Sequence, residues 1–194
     1  MKTTIYIIRH GETTGNKARI FQGQIDTPLN DIGKLQILEA CKDMVRLGIT
    51  YNYIYCSPLS RAKESAEIIQ SYFPSNKVLQ IEPLAIERAF GEAEGKAINP
   101  SNYNKIMKNE FRDAETEDDV ILRAQTLIKR LLAEHPGKNI LIVSHSHFIK
   151  ACFKPYLPNL RFDDKTINGG ISRLVFNEFN HCVKADLLIN PKDH

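Results

Sequence analysis

Two apolar runs in this chain stop at a histidine. Ile5-Tyr6-Ile7-Ile8 ends at Arg9-His10-Gly11-Glu12-Thr13, and Ile140-Leu141-Ile142-Val143 ends at Ser144-His145-Ser146-His147. Short β-branched runs without polar alternation fit strands covered on both faces, as in a parallel sheet. Parallel strands deliver their last residues to one edge, where open α/β sheets bind ligands. If the two strands are neighbours, both imidazoles share a site, and His10 is read as its working residue. Gly11 has no Cβ, so a ligand or a second chain segment can come close to the backbone there.

The rest of the chain supplies the other layers. The first strand is expected at about Thr4–Ile8, followed by a long polar loop to Asn30, with Asn30 or Asp31 capping a helix. Leu35, Leu38, Cys41 and Val45, with Ile37 and Met44, recur at helical spacing, and Gly48 ends that helix. Tyr53–Cys56 reads as a strand and Leu59–Tyr72 as a helix with Ala62, Ala66 and Ile69 inward. Val78–Ile81 reads as a third strand. The segment from Pro83 to about Glu117 breaks this rhythm and is expected to be a lid-like insertion at about 83–117, with a short helix near Tyr103–Asn109. Glu117–Glu134 is amphipathic, Asn139–Val143 is a strand, and a helix follows to about Phe153. Ser172–Phe179 and Cys182–Ile189 are β-like, separated by Asn180-His181. The βαβαβ order predicts one α/β domain over 1–194. It is expected to be a three-layer sandwich, with a mostly parallel central sheet flanked by helices, one antiparallel edge strand, and the insertion covering the active site.

Bulk properties exclude several functions. A net charge of +3 argues against a general nucleic-acid or membrane-surface role. Cys41, Cys56, Cys152 and Cys182 are scattered, with no CxxC or zinc spacing, and are expected to be free thiols in a reducing compartment. No secretory h-region or membrane-length apolar run is read, so a cytoplasmic location is expected. An edge strand near the tail leaves a homodimer open.

Two imidazoles suit metal binding, acid–base work or nucleophilic catalysis. Metal fits poorly: HExxH is absent, the acidic ligands of a dimetal site are missing, and Arg9 beside His10 opposes a dication. The arginines point to phosphate. Arg61 follows Ser57-Pro58-Leu59 and opens a helix at the same edge, where a cation opposes the helix dipole unless an anion offsets it. Guanidinium forks match phosphate oxygens. With no P-loop and no evident Mg²⁺ carboxylates, side-chain cations would supply the charge stabilisation.

These residues resemble the signature of the histidine phosphatase superfamily, also called phosphoglycerate mutase-like. The likeness runs through Arg9-His10-Gly11-Glu12-Thr13 with Asn16, Gln22-Gly23, Asp26-Thr27-Pro28-Leu29 and Ser57-Pro58-Leu59-x-Arg61-Ala62. It continues in Glu87-x-x-Phe90-Gly91-x-x-Glu94-Gly95 and Val143-Ser144-His145. The resemblance implies His10 as nucleophile, with Arg9, Arg61 and His145 on the equatorial phosphate oxygens. It implies Glu87 as general acid and then base; spacing alone leaves Glu82, Glu92 and Glu94 open. Asn16, Gln22, Gly23 and the Ser146 backbone would bind the substrate. A hydrogen bond from the second ring nitrogen of His10 to backbone near Gly11 would fix the attacking tautomer. No metal or other cofactor is expected.

Three positions depart from or fall outside the family pattern. Ser146 stands where glycine is common, and Ala93 where tryptophan is common, which would loosen the pocket; His147 has no assigned role. His135, His181 and His194 are expected on the surface, and Asp26 and Asn30 as turn and cap residues. Lys96, Lys105, Lys108 and Arg112 are candidates for a basic rim or for a solvated face. The activity implied is metal-independent hydrolysis of a small phosphorylated metabolite through a phosphohistidine. A phosphoglycerate mutase is the alternative, and a non-catalytic phospho-ligand binder the third reading.

Overall fold

The computed structural model describes residues 1–74 and 76–188. Its six-stranded sheet comprises β1 (Thr3–Arg9), β2 (Tyr53–Cys56), β3 (Leu79–Ile81), β4 (Asn139–Ser144), β5 (Ile171–Phe176) and β6 (Cys182–Asp186). The spatial order is β3-β2-β4-β1-β5-β6. β3, β2, β4 and β1 pair parallel, while β5 runs antiparallel to both β1 and the edge strand β6. Ile189 and His194, the ends of two expectations above, lie outside the described residues.

Both faces of the sheet are covered, which explains the unbroken apolar strands. Ile5, Ile7, Ile140 and Ile142 face one way, onto α5 (Glu117–Glu134) and α6 (Ser146–Phe153). Ile8, Ile54, Leu141 and Val143 face the other, onto α2 (Asp31–Arg46) and α3 (Ser60–Tyr72). A single helical turn of four residues, α1 (Thr14–Lys17), interrupts the long polar loop and is closed by a reciprocal Thr13–Asn16 capping box.

The buried face of α2 differs from the expected one. Ile37, Ala40, Cys41 and Met44 are buried, while Leu35 and Val45 are 66% and 58% exposed. Two apolar stripes lie side by side on this helix, and the one containing small residues packs inward. Gly33 decides the choice, because a Cβ there would overlap the backbone of Glu12. Asn30 caps α2 by accepting from the Gly33 N–H at 2.8 Å. Asp26 caps α3 from a distant loop, accepting the Ser60 N–H and Oγ–H at 2.7 Å each.

Residues 83–117 hold two 3₁₀ turns, Pro83–Ala85 and Gly91–Ala93, and α4 (Pro100–Met107). The expected helix near Tyr103–Asn109 therefore starts earlier, at a proline that suits a first turn. The segment has its own small core, in which Phe21, Phe90, Ala93 and Ile106 pack with Tyr103 and Phe111. Ala93 is fully buried there, so it fills that core and does not loosen a pocket. His135 is not a free surface group. Its ring stacks on Tyr53 at 3.7 Å and its Nε2 lies 2.7 Å from the Tyr55 hydroxyl. His181 is exposed.

Candidate active site

Register builds the site. Arg9 pairs with Ser144 across β1 and β4, so the next residues, His10 and His145, emerge side by side. The His10 N–H donates to the Ser144 carbonyl at 2.9 Å, and the ring centroids are 5.0 Å apart. β2 ends one register step away, with the Ser57 N–H donating to Val143 O at 3.0 Å. That places Ser57 Oγ 2.7 Å from His145 Nε2. α3 starts just beyond and carries Arg61, 1% exposed, to the same edge.

His10 is 3% exposed, and its Nδ1 lies 2.6 Å from the Gly11 carbonyl oxygen. A carbonyl only accepts, so Nδ1 carries the proton and the neutral ring keeps its lone pair on Nε2. Burial holds the His10 pKa well below the usual imidazole range, and the Arg61 and Arg9 charges push the same way. His145 is likewise held well below it by burial first, then by Arg61. Both rings are therefore neutral in a cationic setting. Gly11 permits a second chain segment to approach: a Cβ on it would meet the backbone of Gly33 in α2.

The cations are positioned by backbone carbonyls. Arg9 Nη1 donates to Thr166 O at 2.7 Å. Arg61 Nη1 donates to Ile25 O at 2.8 Å and Nη2 to Gly23 O at 2.7 Å. No carboxylate forms an ion pair with either guanidinium among the described residues. Burial lowers the pKa of Arg9 to about 10, and lowers that of Arg61. Arg9 Nε, Arg61 Nε and His145 Nδ1 are all buried without a hydrogen-bond partner. Buried donors left unmatched call for an acceptor, and a group of oxyanions would satisfy this set.

Glu87 sits at the start of α6, where its carboxylate accepts from three backbone N–H groups. Oε1 takes those of Arg88 at 2.9 Å, His147 at 3.2 Å and Phe148 at 3.2 Å. Oε2 takes only the His147 N–H, at 3.3 Å, and retains spare capacity. Of the four acids left open by spacing, Glu87 alone lines the cavity described next. Glu82 pairs with Arg130 and Glu92 with Arg112, while Glu94 accepts from the Gln24 and Phe90 N–H groups.

Arg9, Asn16, Gln22, Gly23, Arg61, Glu87 and Ser146 line one cavity of about 130 Å³ together with residues from the 83–117 segment. His10 and His145 are not in this lining. Asn16 uses its Oδ1 in the Thr13 cap, which leaves its NH₂ as the available donor. Gln22 Oε1 accepts from Thr13 Oγ at 2.7 Å. Ser146 Oγ is 2.7 Å from Thr166 Oγ1. Lys96, Lys105, Lys108 and Arg112 do not line the cavity.

Some positioning residues gave no usable signal in the sequence. Ser65 Oγ accepts the Gly11 N–H at 3.2 Å, and Asn168 Nδ2 donates to His10 O at 2.9 Å. Thr166 and Asn168 come from a polar connection between α6 and β5 that carries no periodicity or spacing to mark it.

A parallel sheet brings two neutral histidines and two carbonyl-held arginines to its carboxyl edge, an arrangement suited to an anion. The chain belongs to the histidine phosphatase superfamily (branch 1), whose profile matches residues 5–181. It is 30% identical over 188 residues to the uncharacterized phosphatase PhoE of Bacillus subtilis, covering 94% of this chain and 93% of that one. It is 29% identical over 187 residues to phosphoglycerate mutase-like protein 4 of Arabidopsis thaliana, covering 91% and 80%. Among solved structures, a mutant phosphoserine phosphatase from Entamoeba histolytica in complex with phosphoserine superposes with a TM-score of 0.79. It has 25% identity and coverage of 95% and 96%. No helix among the described residues is long and apolar enough to cross a membrane.

Proposed function

We propose that this chain hydrolyses small phosphomonoesters without a metal, through a phosphohistidine on Nε2 of His10. The observation that carries the reading is the 2.6 Å contact between Nδ1 and Gly11 O, which fixes the nucleophilic lone pair on Nε2. In the first step that lone pair attacks phosphorus and the phosphorus–oxygen ester bond breaks. The leaving alkoxide takes the proton of the Glu87 carboxyl group. In the second step a water gives its proton to the Glu87 carboxylate as its oxygen attacks phosphorus. The phosphorus–nitrogen bond breaks, inorganic phosphate leaves, and His10 is restored.

Arg9, Arg61 and His145 would hold the equatorial oxygens, where charge gathers in the transition state. Their unmatched donors are already in place, so little reorganisation is needed at the moment of reaction. Asn16, Gln22, Gly23 and the Ser146 backbone would complete the phosphate's contacts. The named activity of the phosphoserine phosphatase neighbour supports this class of reaction.

The test is a phosphate-release screen over a metabolite panel with chelator present, combined with an alkaline detergent quench of the enzyme. Chelator-insensitive turnover and an acid-labile, base-stable phosphoenzyme absent from His10→Ala are expected. A requirement for added metal, or turnover by His10→Ala at the native rate, overturns the reading. Supplying a sugar-acid acceptor separates the mutase alternative, which would retain phosphate on the acceptor.

A further inference from the structure

The cavity has two chemically distinct ends. One carries Arg9, Arg61, Glu87 and the polar loop residues already assigned to the phosphoryl group. The other is made of Ile20, Phe21, Phe90, Ile98, Tyr103 and His147. These six form a continuous wall: Phe21 meets Phe90 at 5.2 Å and Tyr103 at 6.2 Å between centroids, and Phe90 meets His147 edge-on at 5.0 Å. Backbone contacts tie the two isoleucines together, through the Ile20–Ala97 bridge and the Ile98 N–H donating to Arg19 O at 2.7 Å.

Among the described residues, no lysine or arginine besides Arg9 and Arg61 lines the cavity. The polar groups of this end are the Tyr103 phenol and the His147 imidazole, which is 6% exposed and has a buried Nδ1 without a partner. Burial, then Lys150, Arg88 and Arg9, hold the His147 pKa well below the usual range, so its ring is neutral. The buried guanidinium of Arg88 lies over the far rings, Phe90 and Phe162, and is not in the lining. The carboxylates of Glu117, Glu87 and Glu115 act on Arg88 and offset its charge.

We propose that this end is a binding site for an uncharged leaving group, an alcohol with a flat or aromatic body, and that it discriminates against esters with a second ionised group. Aromatic and aliphatic walls reward burial of an apolar ring, whereas an ionised carboxylate taken in without a partner is costly. His147 supplies the neutral polar contact that a hydroxyl on such an alcohol would use.

The inference rests on the phosphatase reading for its setting, but binding tests it separately. Three esters that leave as primary alkoxides serve as probes: 2-phenylethyl phosphate, phosphoserine and 3-phosphoglycerate. Titrated into His10→Ala protein, 2-phenylethyl phosphate is expected to bind at least about tenfold more tightly than either ionised ester. Wild-type kcat/KM should follow the same order. Ile98→Arg, which adds a cation at the apolar end, should narrow the preference at least about tenfold by strengthening the ionised esters. Equal or tighter binding of an ionised ester, no binding of any, or a preference unmoved by Ile98→Arg overturns the inference. The phosphatase reading fails on a different result: the binding order holds but wild type turns over no ester.

Discussion

Ser57 Oγ and His145 Nε2, 88 residues apart in the chain, lie 2.7 Å from each other at the carboxyl edge of the sheet. The Ser57 oxygen also accepts the Leu59 N–H at 3.3 Å, so its own proton is free to go to the imidazole. With Ser57 donating, His145 carries its proton on Nδ1, the buried nitrogen that lacks a partner. A serine thus sets the tautomer with which, on the proposed mechanism, a neutral histidine would donate to phosphate. Ser57→Ala is expected to lower kcat about tenfold, a loss of about 1.4 kcal/mol of transition-state stabilisation. Urea denaturation should show the fold retained. Steady-state kinetics with an unchanged kcat would remove Ser57 from this role.

The three buried histidines at this edge make stability depend on pH. His10, His145 and His147 all have folded-state pKa values below the ordinary value, mainly through burial. The unfolded chain therefore binds more protons than the folded one once the pH falls below about 6.5. Their contribution is fully present above that pH and is lost as the pH falls toward the folded values. Each group adds up to about 1.4 kcal/mol per pH unit in that window. Urea titrations at pH 7.5, 6.5 and 5.5 should show a shallow upper interval and a lower one about three times as steep. His147→Gln should reduce the lower slope, whatever it does to stability at pH 7.5. A lower interval as shallow as the upper would contradict the arrangement.

Gly33 and Gly11 let the loop bearing His10 pack directly on α2. A Cβ at either position runs into the backbone of the other segment, Glu12 in one case and Gly33 in the other. Backbone has no rotamer with which to yield, so a shift of the whole loop is required. Gly33→Ala is expected to cost about 1–3 kcal/mol by denaturant titration. It should also lower kcat about a hundredfold, because small displacements of reacting groups are expensive. Gly48→Ala is a control for positive φ without a clash, since a Cβ there meets nothing. It should spare kcat.

Much of this architecture was legible because each strand's pattern is strong and local. Ile5–Ile8 and Ile140–Val143 declared a doubly covered sheet, and their terminal histidines declared the edge. Sequence could not choose between the two apolar stripes of α2, because Leu35 and Val45 are as hydrophobic as Ile37 and Met44. That choice belongs to the contact between Gly33 and Glu12, a feature of tertiary packing. The contributions of Thr166 and Asn168 were hidden for a similar reason. A polar residue in a loop shows its partner only when the chain has closed, as Thr166 O does with Arg9. Ala93 misled through local reasoning: a small residue in a pocket motif suggests space, yet Phe21, Phe90 and Ile106 close over it.

Glu87 offers the sharpest separation of chemistry from structure. Its carboxylate ties the start of α6 to the 83–117 segment through the His147 and Phe148 N–H groups. Glutamine keeps one acceptor oxygen for those bonds but has no acidic proton for a leaving alkoxide. The loss from Glu87→Gln should therefore depend on the leaving group. With an alkyl ester such as 2-phenylethyl phosphate, kcat should fall by about 10²–10⁴-fold. With p-nitrophenyl phosphate, whose phenolate leaves without protonation, formation of the phosphoenzyme should be nearly unaffected in rapid-quench measurements. Its hydrolysis should then be slow, because the proposed mechanism makes the same side chain the base for water, and phosphohistidine should accumulate. Equal losses on both esters with no accumulation would assign Glu87 a structural part alone and leave the proton to another group.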